Sequence, residues 1–484
     1  MIRIIFIIIT LLLITLLTGD GYPNYLDKSF IGLILFMNLI TLLMFIFRKE
    51  NNIYFEKQYI RISYLFLIGF IVVHFQMYID VFLGFLSDDN SFLFINNRVA
   101  VKSLLISSIA FSAFCLGYVF NTNREKQKSD IPIHQNKVIT PLGTNWAFYL
   151  ACIFLLVYFM TVNKSYLAGN YGLVERGQLA GKASFIFECL ITSILIIKAR
   201  NIVLLQGFGT ELKTIIIYFK KEIILLFIYF ATEMMAGERG FIISNSLFLT
   251  GIILYVTKIK VGKLRILLFL GIASFILSLL GVVRKLDDDG SFFEKLAIAF
   301  NDDTESRYYP NSFLNSTKEL ASSGRTLNIA VDGIERGTAR HTYGLFAIQD
   351  LMLLVPTLRS TFISTFDIPL PLTSSPEYLT YLNLGPFPSW GVGSSCVADT
   401  YLDFGLLGIV VVYFLFGFLV RKLEIAIFKT KLVNLVVFII ALSVLAYSIY
   451  ISRSTIIYSL SKFAYILVFV YTILFINKIK ATYK

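Results

Sequence analysis

Hydrophobic residues do not alternate with polar ones along this chain; they run on. Apolar stretches bounded by clusters of charge fall at 2–18, 30–47, 61–83, 98–120, 146–162, 184–200, 222–236, 240–257, 265–283, 401–420, 432–450 and 455–476. At about 1.5 Å of rise per residue, such stretches are suited to a hydrocarbon layer about 30 Å thick. Continuous rather than period-two hydrophobicity predicts helices and argues against a barrel. The expected fold is therefore all-α and polytopic, with about twelve transmembrane helices. Three units follow: transmembrane helices over 1–283, a large loop over 284–400, and further transmembrane helices over 401–484.

Composition sharpens this picture. Hydrophobic residues make up 57% of the chain, too many for a water-soluble surface. A net charge of +12 would suggest a nucleic-acid partner in a soluble domain. Here the Lys and Arg fall mostly in alternate short loops: Arg48 to Arg61, Arg124 to Lys137, Lys198 to Lys221, Lys258 to Arg265, Arg421 to Lys431, and the tail from Lys478. The positive-inside rule makes those loops and both termini cytoplasmic. The turn at 19–29, the loop at 163–183, the turn "GERG" and the large loop then face outward. No A-x-A-like site follows the first apolar run, which is expected to be a retained anchor. Of the four cysteines only Cys396 lies in a polar segment, so no disulfide framework follows.

The large loop reads as short helices separated by Pro and Gly. "SFFEKLAIAF" has an apolar helical face, and "YGLFAIQDLMLLVP", interrupted by Gln349 and Asp350, reads as an interfacial or re-entrant helix. "FDIPLPLTSSPEYLTYLNLGPFPSWGVGSS" is too turn-rich to span. The hairpin around "MMAGERGFII" is short. Residues 223–256 must supply two crossings and a turn, whereas two unstrained crossings need about 40 residues. Glu238 and Arg239 are therefore expected below the outer surface, where an Arg marks a site unless the pair merely caps an interfacial hairpin.

Outward arginines are not explained by topology. Arg176, Arg336, Arg340 and Arg359 are candidates for binding a diphosphate, since guanidinium matches phosphate oxygens through paired charge-assisted bonds. Surface ion pairing is the competing account of each. His341 is the one outward histidine and a candidate base; His74 reads as a packing residue. Asp399 and Asp403 share a helix face at i, i+4, either as chemistry or as helix-dipole partners. Asp287 to Gly290, "DDDG", lacks other spaced ligands and does not make a metal site. No nucleotide-binding motif appears in a fitting context.

"GERG", "TYGLFAIQDLMLLVP" and "GVGSSCVADTYLDFGLLG" together resemble the bacterial oligosaccharide repeat-unit polymerases, the Wzy-type O-antigen polymerases. Gly391, Gly393, Ser394, Asp399, Tyr401, Phe404, Gly405 and Gly408 carry the most specific part, with Asp399 where a Glu is more usual. The resemblance implies a glycosyltransferase-C-like fold in the bacterial inner membrane, with its active site facing the periplasm. The implied reaction moves a growing glycan from undecaprenyl diphosphate onto a new lipid-linked repeat unit. His341, Asp399 and Arg239 are its expected catalytic residues. Arg176, Arg336, Arg340, Arg359, Tyr343 and Tyr401 are expected to bind diphosphate and glycan. No cofactor, metal or nucleic acid is expected. The expected partners are lipid-linked oligosaccharides, membrane lipids, a chain-length regulator and a flippase. An O-antigen ligase shares the donor and differs in acceptor. A flippase or other transporter would more often show two similar halves and short loops. Arg239→Ala is expected to abolish elongation while leaving the protein's abundance in the membrane intact, as read by glycan laddering beside an immunoblot of the membrane fraction.

Overall fold

The computed structural model describes residues 2–48, 58–120, 143–167, 176–236, 238, 240–262, 265, 271, 309, 311–355, 357–428 and 433–482. Its principal helices are α1 (Ile2–Thr18), α2 (Lys28–Phe47), α3 (Ile62–His74), α4 (Gln76–Leu83), α5 (Asn97–Phe120), α6 (Asn145–Thr161), α7 (Gln178–Gln206), α8 (Lys220–Ala236) and α9 (Gly240–Thr257). After these come α10 (Arg325–Glu335), α11 (Leu345–Met352), α12 (Ser375–Leu384), α13 (Cys396–Phe428), α14 (Leu435–Tyr447) and α15 (Phe463–Thr482). No β-sheet occurs among the described residues.

The all-helical, polytopic expectation holds, and the described residues do not confirm its count of about twelve. Among the described residues six helices are long and apolar enough to cross a membrane, or seven if α3 and α4, bent by 53°, form one broken span. Apolar α1, α6 and α14 are shorter. Of the expected span at 265–283 only Arg265 and Gly271 are described. At α14 the reason is visible: its 13 residues rise about 20 Å, short of the hydrocarbon thickness. The chain then continues through 3₁₀ turns at Ile451–Arg453 and Ile457–Leu460 before α15 begins. Such non-helical backbone is tolerated at membrane depth where protein surrounds it. Ser448, Ser452 and Ser459 are accordingly buried.

Two long helices, α5 and α13, form the spine. They meet through glycine: a Cβ on Gly117 would overlap the Phe414 carbonyl, and one on Gly417 would overlap that of Phe114. In hydrocarbon no hydrophobic effect drives helices together, so close backbone approach and interhelical hydrogen bonds take its place. On its other faces α5 uses serines. Asn38 of α2 donates to Ser108 Oγ at 2.8 Å, and Thr10 of α1 to Ser112 Oγ at 3.0 Å. Toward the end assigned to the cytoplasm, buried Glu424 accepts bonds from the Ser63 N–H and the Tyr118 hydroxyl. Arg421 donates to that same hydroxyl at 3.1 Å.

Segments of the large loop pack across the opposite end. Asp80, fully buried in α4, accepts from Tyr309, from Ser312 Oγ at 2.6 Å and from the Phe313 N–H at 2.8 Å. Gln76 donates to Ser312 Oγ and the Leu314 carbonyl. Asn328 of α10 donates to the Leu93 carbonyl at 2.8 Å, and Glu335 pairs with Lys102 of α5 at 2.6 Å. The loop is thus part of the bundle's packing. Gly117→Val and Gly417→Val are each expected to destabilise the protein by about 1–3 kcal/mol through overpacking, seen as a lower midpoint of thermal unfolding in detergent. Gly181→Ala, which meets no atom within 4 Å, should leave that midpoint unchanged.

Candidate active site

α13 breaks at Gly405, whose φ of 62° and ψ of −156° leave the helical region. In an unbroken helix the Tyr401 and Leu402 carbonyls would accept from the N–H groups four residues on. Here the loop supplies their donors. His341 Nδ1 lies 3.0 Å from the Tyr401 carbonyl and 3.3 Å from that of Leu402, and the Thr342 N–H donates to the latter at 3.0 Å. Both neighbours of Nδ1 are acceptors, so Nδ1 carries a hydrogen. A Cβ at position 405 would stand 3.3 Å from the imidazole, so glycine there serves both the backbone turn and the ring's seat.

One turn away, Asp403 holds the loop by its other edge. Its carboxylate accepts from the Thr342 hydroxyl, from the Phe346 N–H at 3.2 Å and from the Ala347 N–H at 2.7 Å. Those two amides belong to the first turn of α11, where the helix supplies no acceptors of its own. Asp403 is therefore a cap lent by α13 to α11.

So fixed, α11 presents Gln349 and Asp350 to the interior. Both are buried, at 0% and 8% exposure. Asp350 lies beside the Thr455 hydroxyl, whose oxygen accepts from the Tyr458 N–H at 3.2 Å. Burial pushes the Asp350 carboxyl above the usual carboxylate range; Thr455 and nearby Arg359 oppose that shift, and Asp403 adds to it. Asp399, also buried, lies within electrostatic reach of Asp350 and Asp403 and beside Ser375. Ser375 sits 3.2 Å from Ser394. Three polar atoms here have no partner: Asp399 Oδ1, Gln349 Oε1 and Arg359 Nε. Buried polar groups are ordinarily satisfied, so three orphans in one neighbourhood mark a place for water or a polar ligand. Among the described residues no group of three or more His, Cys, Asp and Glu is arranged to hold a metal ion.

A second polar cluster lies beside the short hairpin. α8 and α9 have 17 and 18 residues, about 25–27 Å of helix each, in keeping with a recessed turn. Fully buried Glu233 pairs with Arg176 at 2.8 Å and accepts from the Tyr158 hydroxyl at 2.9 Å. Arg176 also bonds the Tyr166 hydroxyl at 2.7 Å and Ser184 Oγ at 3.1 Å. Burial works against the Arg176 charge, but Glu233 and the tyrosines outweigh it and raise its pKa. Glu238 lies within electrostatic reach of Glu233, Tyr166 and Tyr458. Next to this cluster a small pocket is lined by Glu188, Thr192, Ser244, Asn245, Ser443, Ser459 and Lys462 among others, with Lys462 paired to Glu188.

Both clusters place buried charged groups in an otherwise apolar bundle. The family model for the O-antigen polysaccharide polymerase Wzy matches residues 1–484. The chain belongs to the O-antigen polysaccharide polymerase Wzy family. That membership carries with it a multi-pass membrane protein and a polymerising, glycosyltransferase-type activity on lipid-linked oligosaccharide repeat units. Comparison with curated proteins and with solved structures finds no match.

In this Wzy-family chain the residues singled out in the sequence fall into several places. His341, Tyr401, Asp399 and Arg359 surround the broken end of α13. Tyr401 packs its ring on His341 at 5.6 Å between centroids, while its hydroxyl lies toward Lys102 and Glu335. Arg359 also donates to the Thr373 carbonyl at 2.6 Å. Arg176 belongs to the hairpin cluster. Arg336 is exposed and pairs with Asp332 at 2.9 Å. Arg340 and Tyr343 are exposed, Tyr343 with a φ of 50°. Arg239 lies outside the described residues, as do "SFFEKLAIAF" and "DDDG".

Residues not singled out include Asp350, Gln349, Thr455 and Ser375 at the first cluster and Glu233, Glu188 and Lys462 at the second. The signal for the last three was present: each is a charge inside or beside an apolar run, where an ionisable group is costly and functional by default. Arg325 is a different case. It is buried, with its guanidinium 3.8 Å from the Phe92 ring centre and donating to Asn383, and burial lowers its pKa to about 10. Glu233→Ala, which strands Arg176, is expected to cost about 3–5 kcal/mol. In thermal unfolding in detergent it should lose more than the double replacement of Arg176 and Glu233 by Ala; an equal or smaller loss would show that the pair carries no buried charge.

Proposed function

We propose that this protein elongates a surface polysaccharide, transferring the growing glycan from undecaprenyl diphosphate onto the terminal sugar of a new undecaprenyl diphosphate-linked repeat unit. The reaction takes place at the outer leaflet of the bacterial inner membrane, with the active site facing the periplasm and both termini in the cytoplasm. The observation that carries this reading is the group of buried, unpartnered polar atoms, Asp399 Oδ1, Gln349 Oε1 and Arg359 Nε, at one end of helices long enough to meet lipid. A polar site of that kind accepts sugar hydroxyls while the apolar flanks accept the polyprenyl chain.

The chemistry balances without oxidant or nucleotide. An acceptor hydroxyl oxygen bonds to the anomeric carbon of the donor, the carbon–oxygen bond to the diphosphate breaks, and the electron pair leaves on that diphosphate. The hydroxyl proton goes to a base, for which His341 Nε2 and Asp399 are the candidates. Negative charge gathering on the diphosphate calls for preorganised cations. Arg239 and Arg176 serve on the hairpin side, and Arg336, Arg340 and Arg359 on the loop side. Tyr343, 86% exposed, offers its ring to a sugar face, and buried Tyr401 backs His341. A chain-length regulator and a flippase are the partners this activity calls for.

Purified protein incubated with its lipid diphosphate-linked repeat unit, and no nucleotide sugar, should give a ladder of lipid-linked products. No ladder with the correct repeat unit would overturn the assignment. Addition to lipid A core in place of the ladder would make the protein a ligase.

A further inference from the structure

Arg325 opens α10 and is buried, at 6% exposure, yet its charge goes unanswered. Its guanidinium carbon lies 3.8 Å from the Phe92 ring centre and 5.6 Å from that of Trp390, and Nη2 donates to Asn383 Oδ1 at 3.2 Å. Nε and Nη1 have no hydrogen-bond partner. Among the described residues no carboxylate pairs with it, whereas Arg176 has Glu233, Lys102 has Glu335 and Lys462 has Glu188. A guanidinium stays charged at neutral pH. The two rings attract that charge through their faces but offer no acceptor to its N–H groups. A buried charge without a counter-ion is costly to the fold, and an arriving anion would relieve it.

The surroundings indicate which anion. Trp390 is 47% exposed and packs on Phe92 at 6.5 Å between ring centres, and Phe387, on the same stretch, is 94% exposed. That stretch runs from Gly385 to Gly393, both at positive φ, 81° and 77°, and both with open space where a Cβ would stand. An exposed, electron-rich ring face meets the C–H face of a sugar, and a guanidinium meets an oxyanion. α12 ties this place to the candidate active site. Ser375, beside Asp399, is at its start and Asn383 near its end, about 12 Å away along the helix. That span exceeds one sugar ring, so a sugar at Arg325 belongs to the glycan beyond the reacting bond.

We propose that Arg325, Asn383 and Trp390 form a glycan subsite for an acidic sugar, whose carboxylate takes the unpartnered guanidinium N–H groups and whose ring takes the indole face. This rests on the glycosyl-transfer reading and adds a substrate class to it, a repeat unit that carries negative charge. Trp390 covers the guanidinium, and a swing of the indole between its two glycines admits the carboxylate. Binding exchanges an unanswered charge for a charge-assisted pair. A neutral sugar gains the ring contact alone and leaves the N–H groups as they were, which makes the subsite selective.

The test uses the full-length protein in nanodiscs with Trp146→Phe, which leaves Trp390 as the one indole. Methyl glucuronoside should change Trp390 fluorescence saturably, and neither methyl glucoside nor inorganic diphosphate should match it. No response to the glucuronoside, or an equal response to the glucoside, overturns the subsite. An equal response to diphosphate makes this a place for the lipid head group and overturns it too. Arg325→Met keeps the length and apolar packing without the charge. It should raise the Kd for the glucuronoside at least about tenfold and, because it breaks no ion pair, leave the thermal unfolding midpoint at or above that of the parent. A lowered midpoint with an unchanged Kd assigns Arg325 to packing and overturns the inference. Should Arg325→Met fail to fold, Arg325→Lys keeps the charge and loses the planar donors; it should weaken binding about tenfold, and unchanged affinity overturns the subsite. A protein that binds the glucuronoside through Arg325 yet makes no ladder overturns the polymerase assignment and leaves the subsite standing. A ladder from a protein that does not bind it does the reverse.

Discussion

A helix in hydrocarbon cannot leave carbonyls without donors, because lipid offers none. α13 incurs that debt at Gly405, and the large loop settles it with His341 and Thr342. The rest of the polar end depends on that exchange. Once the loop is fastened there, Asp403 can cap α11, and α11 can bury Gln349 and Asp350. The break in α13 is thus the fixed point of the site. It is supported in turn by the glycine contact that seats α13 against α5.

Two polar clusters grow from this arrangement, and one stretch of chain reaches both. Between α14 and α15 the backbone leaves the α-helix, and from that stretch Thr455 lies beside Asp350 while Ser459 and Lys462 line the pocket beside the hairpin. Tyr458 lies within electrostatic reach of Glu188, Lys462 and Glu238. In the proposed reaction the acceptor's base lies in one cluster, and cations from both sides face the donor's diphosphate. The non-helical stretch makes their separation a matter of a few covalent bonds rather than of helix packing alone.

Much of the fold was legible because hydrocarbon imposes a strong rule on sequence. Continuous apolar runs marked out most of the helices. The hairpin was legible in a finer sense, as 34 residues are few for two crossings. The rule fails where helices break inside the protein. Nothing local in "YSIYISRSTIIYSLSK" separates an unwound stretch from a short turn between two spans. Asp399 and His341 were found by residue type and resemblance. Asp350 was seen only as an interruption in an apolar helix, since its importance comes from Asp399 and Thr455, both distant in sequence. Asp403 was grouped with Asp399 by spacing, yet the structure gives it a different task, and only its acceptance of backbone amides separates the two.

The large loop is fastened through carboxylates that receive main-chain amides: Asp80 takes that of Phe313, and Asp403 those of Phe346 and Ala347. Bonds to main chain place no demand on which side chains those loop positions carry. An evolving lineage can therefore recast the sugar-facing surface of the loop to suit a new repeat unit while its points of attachment stay the same.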